Sequence, residues 1–262
     1  MTQTQDDMAG KVAIVTGGSG GIGQATAALL LARGANVMLA ARNADKLSAA
    51  AEELGGGEQL AHRVCDIGDE AQVRALIEAT TEKFSQLDIL IANAGTEGTV
   101  KPLLDLTLEE FSTVQRINID GTFLCIKHGA QAMLERGAGG AIVATGSVAS
   151  VVGVPGLGAY APSKHAIAGL VQVAALELAE SGVRINAVAP APIDNAMMRS
   201  IEGMVAPPEA RAEAEAGFAA LNPMKRYGKN EEVAAAIAFL ASDAASFVNG
   251  AVLPVDGGFL AA

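Results

Sequence analysis

Residues 12–23 read VAIVTGGSGGIG. A short apolar run, VAIVT (12–16), ends in the glycine-rich turn TGGSGGIG (Thr16 to Gly23), and the helical pattern GQATAALLLAR begins before that turn is finished. Glycine lets the backbone turn sharply and lie against a ligand, and a helix N-terminus offers unpaired N–H groups and the positive end of its dipole. Strand, glycine turn and helix in that order form the setting that holds the pyrophosphate of a dinucleotide. A glycine-rich string alone could be an ordinary turn. Its place at the head of a chain that alternates strands with helices gives it meaning.

The alternation runs on through the sequence. NVMLAA (36–41) precedes ADKLSAAAEEL, HRVCD (62–66) precedes DEAQVRALIEATTEKF, and LDILIANAG (87–95) precedes TLEEFSTVQRINIDGTFLCIKHGAQAML. AIVATGS (141–147) leads to a helix carrying YAPSK (160–164), and VRINAVAP (183–190) and GAVLPVDGG (250–258) complete a set of seven strands. These runs are continuously apolar, as strands buried on both faces are. The expected fold is therefore α/β: a Rossmann-type, doubly wound, seven-stranded parallel sheet with helices on both faces. No repeat or linker divides the 262 residues, so 1–262 read as a single nucleotide-binding and catalytic domain. The irregular region is about 191–222, with Pro192, Pro207, Pro208, several methionines and an Ala/Glu-rich helical pattern. It reads as a substrate loop or lid.

Composition narrows the function. The formal net charge of −11 disfavours nucleic acid and gives no support for anionic membranes. The acidic, polar start MTQTQDDMAG has no signal-peptide pattern, and no apolar run reaches membrane-spanning length. Cys65 and Cys125 form no CxxC pair, and His62, His128 and His165 are scattered. Reduced core thiols, no metal and a soluble, cytoplasmic protein are the expectation.

Tyr160 and Lys164 stand four apart and so share one face of a helix. A phenol is a poor acid–base group near neutrality, because its ordinary pKa is about 10. A nearby ammonium stabilises the phenolate and brings proton exchange within reach. Pro162 between them is tolerable only in the first helical turn, where its missing N–H has no partner to lose.

Together, the TGxxxGxG spacing of Gly17, Gly21 and Gly23, the NAG of Asn93 to Gly95, the CDIGD around Asp66, the YxxxK and the VDGG near the C-terminus resemble the short-chain dehydrogenase/reductase family. The resemblance runs from Lys11 to about Phe259. It implies an oxidoreductase that moves a hydride between a nicotinamide cofactor and a secondary alcohol or ketone. It places Ser147, thirteen residues before Tyr160, and Asn118 of RINIDG in the catalytic group. In the roles so implied, Tyr160 exchanges the proton with the substrate oxygen and Ser147 holds that oxygen. Lys164 meets the nicotinamide ribose and lowers the tyrosine pKa, and Asn118 holds a relay water. The implied cofactor contacts begin with Ser19 and Ile22 beside the three glycines. They continue with Asp66 at the adenine, Ile67, Asn93, Ala94 and Gly95, and end with Pro190 and Ile193 beside Tyr160 and Lys164. The chain departs from the family after the sixth strand. Ala191 stands where glycine is usual, and Asn195 stands about where a threonine near the nicotinamide amide is usual.

At the end of the second strand a carboxylate would accept from the adenosine ribose and select NAD. Ala41 and Arg42 stand there instead, and a guanidinium can pair with a 2′-phosphate. NADP(H) is expected, with NAD(H) as the alternative. Val148, Val151, Val154, Leu157, Met197 and Met198 make the substrate region mostly apolar. Three readings follow: an alcohol dehydrogenase or carbonyl reductase, a non-catalytic nicotinamide-binding sensor or regulator, and a non-redox enzyme of the same fold. The Ala- and Leu-rich helices near 108–136 and 160–180 correspond to a four-helix subunit interface in the family, which implies a homotetramer.

Overall fold

The computed structural model describes residues 7–262. Seven strands, β1 (Val12–Thr16), β2 (Asn36–Ala41), β3 (Leu60–Val64), β4 (Ile89–Ala92), β5 (Gly140–Thr145), β6 (Val183–Pro190) and β7 (Val252–Val255), form one sheet. Its order is β3-β2-β1-β4-β5-β6-β7 and every pairing is parallel. The order reverses between β1 and β4, and in such sheets the crevice at the reversal holds the ligand.

The period of two along each strand divides the core into two layers. Ile14, Met38, Leu90, Ile142 and Ile185 face α3 (Glu70–Phe84), α5 (Gly121–Arg136) and α6 (Tyr160–Leu178). Their neighbours Val15, Val37, Ile89, Ile91 and Val143 face α1 (Gly21–Ala32), α2 (Ala44–Leu54) and α9 (Asn230–Ala241). Two-sided burial is why these five central strands read as unbroken apolar runs.

The two edge strands do not follow that pattern. β3 begins at Leu60 rather than His62, and His62, Arg63 and Val64 are exposed. An edge strand pairs on one side only, so it tolerates polar residues. Cys65, near the end of the expected strand, and Ile67 just beyond it lie outside β3 and are buried in the core that holds Ile14 and Leu90. β7 is likewise only partly covered. At the sheet's reversal, β4 stops at Ala92, and Asn93 to Gly95 turn out of the sheet instead of extending it.

The long helix expected over the TLEEF…QAML stretch is interrupted. α4 (Leu108–Gln115) and α5 are joined by one π-helical turn, Arg116–Asp120, with Asn118 at its centre. The region 191–222 is not irregular. It folds as α7 (Ala196–Val205), a 3₁₀ turn at Pro208–Ala210 and α8 (Arg211–Ala219). Prolines mark its boundaries and none falls inside either α-helix, as expected for a residue that breaks the helical ladder. Cys65 and Cys125 are free and buried, and burial lifts their thiols to about 11 and about 12.

Candidate active site

The reversal of the sheet opens a groove of about 460 Å³ lined by Gly17, Ser19, Arg42, Ile67, Ala94 and Gly95 among others. The glycines are required there by close approach. Gly17 has φ +67°, and a Cβ on it would stand 2.8 Å from the Asn93 Nδ2. A Cβ on Gly23 would run into the Gly17 carbonyl oxygen. The first turn of α1 can therefore pack against the glycine loop only without a side chain, which leaves its N–H groups open to a phosphate. Ile22 sits on the α1 side and packs against the core.

Asn93 ties three strands together at this point. Its Nδ2 donates to the Thr16 carbonyl at 3.0 Å, its Oδ1 accepts from the Thr145 hydroxyl at 3.1 Å, and its N–H donates to the Thr16 hydroxyl at 2.9 Å. The Asp66 carboxylate is already engaged: Oδ1 accepts from the Gly68 N–H at 3.0 Å, and Arg116 approaches Oδ2 at 3.5 Å. Cys65 and Ile67 on either side of it line the groove. At the far end Ala41 is buried, Arg42 is exposed, and Asn43 caps α2 by accepting from the Lys46 N–H at 2.8 Å. Arg42 makes no ion pair or side-chain hydrogen bond among the described residues, so its charge faces only the groove and solvent.

The structure brings Asn118, Ser147, Tyr160 and Lys164 together where β4, β5 and α6 meet. Tyr160 opens α6, so Pro162 is its third residue, in the first turn as required. Lys164 is 4% exposed, and its Nζ donates to the Thr145 carbonyl at 2.7 Å and stands 5.4 Å from the Tyr160 ring centroid. A Cβ on Gly95, which lines the groove, would stand 3.7 Å from that Nζ. Ser147 caps the short turn after β5, its Oγ accepting from the Ala149 N–H at 3.1 Å. Asn118 is fully buried and uses both of its amide hydrogens. Oδ1 accepts from the Thr96 N–H, and Nδ2 donates to the Thr96 carbonyl and the Ser163 hydroxyl, each at 2.9 Å. Its side chain clamps the loop after β4 to α6, which leaves no amide hydrogen free for a water.

The acid–base balance differs from the sequence reading. Burial lifts the Tyr160 phenol to about 12; the neighbouring Ser147 hydroxyl lowers it and the Glu97 carboxylate raises it. Burial also depresses Lys164 to about 8. Desolvation dominates both shifts, so the phenol lies above its ordinary value rather than below it.

Some participants left no local signal. Thr145 joins Asn93 to Lys164, yet it reads as one more β-branched strand residue. Glu97 comes within electrostatic reach of the phenol on the loop whose Thr96 Asn118 holds. Asn195, expected near the nicotinamide amide, is the N-cap of α7, accepting from the Met197 and Met198 N–H groups at 3.1 and 3.2 Å. Asn195 ahead of Ala196, Met197 and Met198 could have revealed that cap only with the helix boundary already known.

A glycine-rich crevice at a sheet reversal, with the half-buried Tyr160 beside the buried Lys164 at its inner end, defines a dinucleotide-dependent oxidoreductase fold and site. Residues 17–260 match the profile of a family described as enoyl-(acyl carrier protein) reductase. The chain is 42% identical over 256 residues, 97% of its length and 99% of the relative's, to 2,5-dichloro-2,5-cyclohexadiene-1,4-diol dehydrogenase of Sphingobium indicum. It is 40% identical to cis-4-hydroxycyclohexanecarboxylate dehydrogenase of Sinomonas cyclohexanicum, covering 96% of this chain and 97% of that one. The crystal structure of levodione reductase superposes with a TM-score of 0.94 at 39% identity, covering 97% of this chain and 99% of the other. The chain belongs to the short-chain dehydrogenase/reductase family. It is an oxidoreductase that transfers a hydride between a nicotinamide cofactor and a secondary alcohol or ketone, and the sensor alternative finds no support among these relatives. Among the described residues no helix is long and apolar enough to cross a membrane.

Proposed function

We propose that this protein is a dehydrogenase or reductase of six-membered cyclic alcohols and ketones that carry a second polar group across the ring. The observation that carries the chemistry is the convergence of Ser147, Tyr160 and Lys164 at the inner end of the glycine-lined groove. The ring preference rests on the 1,4 arrangement of oxygen-bearing groups in the names of the two relatives above. When bound, the nicotinamide supplies or accepts the hydride. Tyr160, protonated through the neutral range, donates its phenol proton to the substrate oxygen as charge develops there, and Ser147 hydrogen-bonds the same oxygen. Lys164 holds a positive charge against the developing phenolate up to about pH 8. Asn118 acts by fixing the loop of Thr96 and Glu97 against α6.

The groove residues fit a dinucleotide, with Gly17, Ser19, Gly21, Ile22 and Gly23 at the pyrophosphate and Ile67, Asn93, Ala94 and Gly95 along its length. Asp66 serves the adenine end, and Pro190 and Ile193 flank the nicotinamide end. The exposed Arg42 beside Ala41, without an ion pair among the described residues, favours NADP(H) over NAD(H). The protein works as a cytoplasmic homotetramer. Exposed apolar side chains on α5 (Phe123, Leu134) and α6 (Val173 and Leu176, the last 83% exposed) support an assembly through these helices. A tetrameric mass in light scattering at micromolar concentration is the expected result, and a monomer would refute it.

The activity test is oxidation of cyclohexanol and 1,4-cyclohexanediol, and reduction of 1,4-cyclohexanedione, with both cofactors. Turnover of the 1,4-disubstituted rings above that of cyclohexanol is expected. No turnover of any of them would remove the ring assignment.

A further inference from the structure

Glu202 of α7 is a carboxylate only 2% exposed, far from the catalytic group in sequence and unused by the chemistry. Arg199 donates through Nη1 to both of its oxygens at 2.8 Å, and the Tyr227 hydroxyl donates to Oε1 at 2.8 Å. The Arg199 guanidinium lies over the Tyr227 ring, 5.4 Å from its centroid, and also pairs with Asp194 and, at 3.2 Å, with Glu215 of α8. One guanidinium thus serves three carboxylates, and Tyr227 is the other group that holds the buried one. Burial and the Glu202 charge both push the Tyr227 phenol up, so it remains a hydrogen-bond donor at every working pH.

The residues that follow Tyr227 hold the chain that enters α7. The Gly228 N–H donates to the Pro192 carbonyl at 3.0 Å, and the Asp194 N–H donates to the Gly228 carbonyl at 2.9 Å. Asn195 Nδ2 donates to Asn230 Oδ1 at 3.3 Å. A Cβ on Gly21, in the glycine turn, would lie 3.6 Å from both the Asn195 Cβ and that Asn230 oxygen. The segment 191–195 therefore runs from the catalytic end of the sheet to the glycine turn. It is pinned along its length by residues 227–230, and Glu202 anchors the helix behind it.

We infer that Tyr227 and Glu202 are positioning residues whose hydrogen bond latches α7, and with it the segment 191–195, over the bound dinucleotide, and that releasing this latch governs how fast the cofactor leaves. The inference rests on the placement of the cofactor between Gly21 and Ile193 proposed above. Without the phenol hydroxyl, Glu202 keeps only Arg199, and Arg199 has two outward carboxylates to turn to. A hydrogen bond to a charged, buried acceptor shifts a closed-to-open ratio by roughly ten- to a hundredfold. Lid opening and product release commonly limit turnover in enzymes closed by such segments.

The test compares the unaltered protein with Tyr227→Phe and, in case that variant folds poorly, Glu202→Gln. NADPH and NADH dissociation are followed by nicotinamide fluorescence in stopped flow, trypsin cleavage after Arg211 and Lys225 is timed without cofactor, and kcat and KM are measured separately. Faster cleavage, cofactor release accelerated about tenfold or more, a raised cofactor KM and an undiminished kcat are expected. A merely structural defect would instead lower kcat together with the thermal midpoint, and that result overturns the inference. Unchanged cleavage and unchanged release show that there is no latch. Faster cleavage with unchanged release shows a latch that does not cover the cofactor, which places the error in the assumed cofactor position.

Discussion

The two ends of the groove are built differently. At the inner end, the Thr145 carbonyl of β5 holds Lys164 and the turn after β5 holds Ser147, and burial moves both the phenol and the ammonium away from their ordinary protonation ranges. At the outer end stands Arg42, exposed on a strand tip, with only the backbone of Ala41 and the cap residue Asn43 beside it. The inner end is fixed before any ligand arrives, so its chemistry belongs to the fold. The outer end acquires an energy only from what binds. An error about the outer end would thus leave the inner one intact.

The largest effect should come from the inner end. Tyr160→Phe keeps the ring and removes the exchangeable proton. Turnover should fall by about a hundredfold or more, the usual scale for loss of a positioned acid–base group, with cofactor affinity nearly unchanged. Near-normal turnover would mean that the inner end is packing rather than chemistry. At the outer end, Arg42→Ala should weaken NADPH binding by roughly ten- to a hundredfold and leave NADH almost untouched, since a charge-assisted hydrogen bond has that scale. Ala41→Asp should turn the preference toward NADH by repelling a 2′-phosphate and accepting from ribose hydroxyls. Comparing kcat/KM for both cofactors in the three proteins decides the point. A preference for NADH in the unaltered enzyme would overturn the NADP(H) assignment alone.

The smallest effect is one of stability, and it sharpens the contrast because the outer end should not show it. Lys164 titrates at about 8 when folded, whereas the ordinary value is 10.5. Between those values the unfolded chain binds more protons than the folded one, so stability should rise with pH, by about 2 kcal/mol between pH 7.5 and 9.5. Tyr160 moves the opposite way, from 10 to about 12, and should draw stability down above pH 10. Denaturant midpoints at pH 7.5 and 9.5 should show the rise in the native protein and lose it in Lys164→Met. A rise of equal size in the variant would show that another group is responsible.

Much of the fold could be read from local pattern. VAIVT, NVMLAA and VRINAVAP fall on strands with the expected bounds, because a strand buried on both faces has no room for polar residues. HRVCD coincides with β3 only over 62–64 for the converse reason: at the sheet edge, burial no longer dictates sequence, and Cys65 and the nearby Ile67 serve the groove wall instead. The region 191–222 reads as loose because its prolines are conspicuous, whereas α7 is held by partners distant in sequence, Tyr227 and Asn230.

The sequence by itself determined the parallel α/β architecture, the glycine turn and the placing of Tyr160 and Lys164 on one helical face. Each of these depends on backbone geometry over a few residues, which residue type and spacing specify directly. Only the tertiary structure decided that the phenol rises rather than falls and that the Asn118 amide is spent on clamping a loop. It alone brought the Glu97 charge within reach of the phenol and joined Glu202 to Tyr227 across 25 residues. Those outcomes depend on desolvation and on hydrogen-bond partners brought from elsewhere in the chain, and neither is encoded within the reach of a local motif.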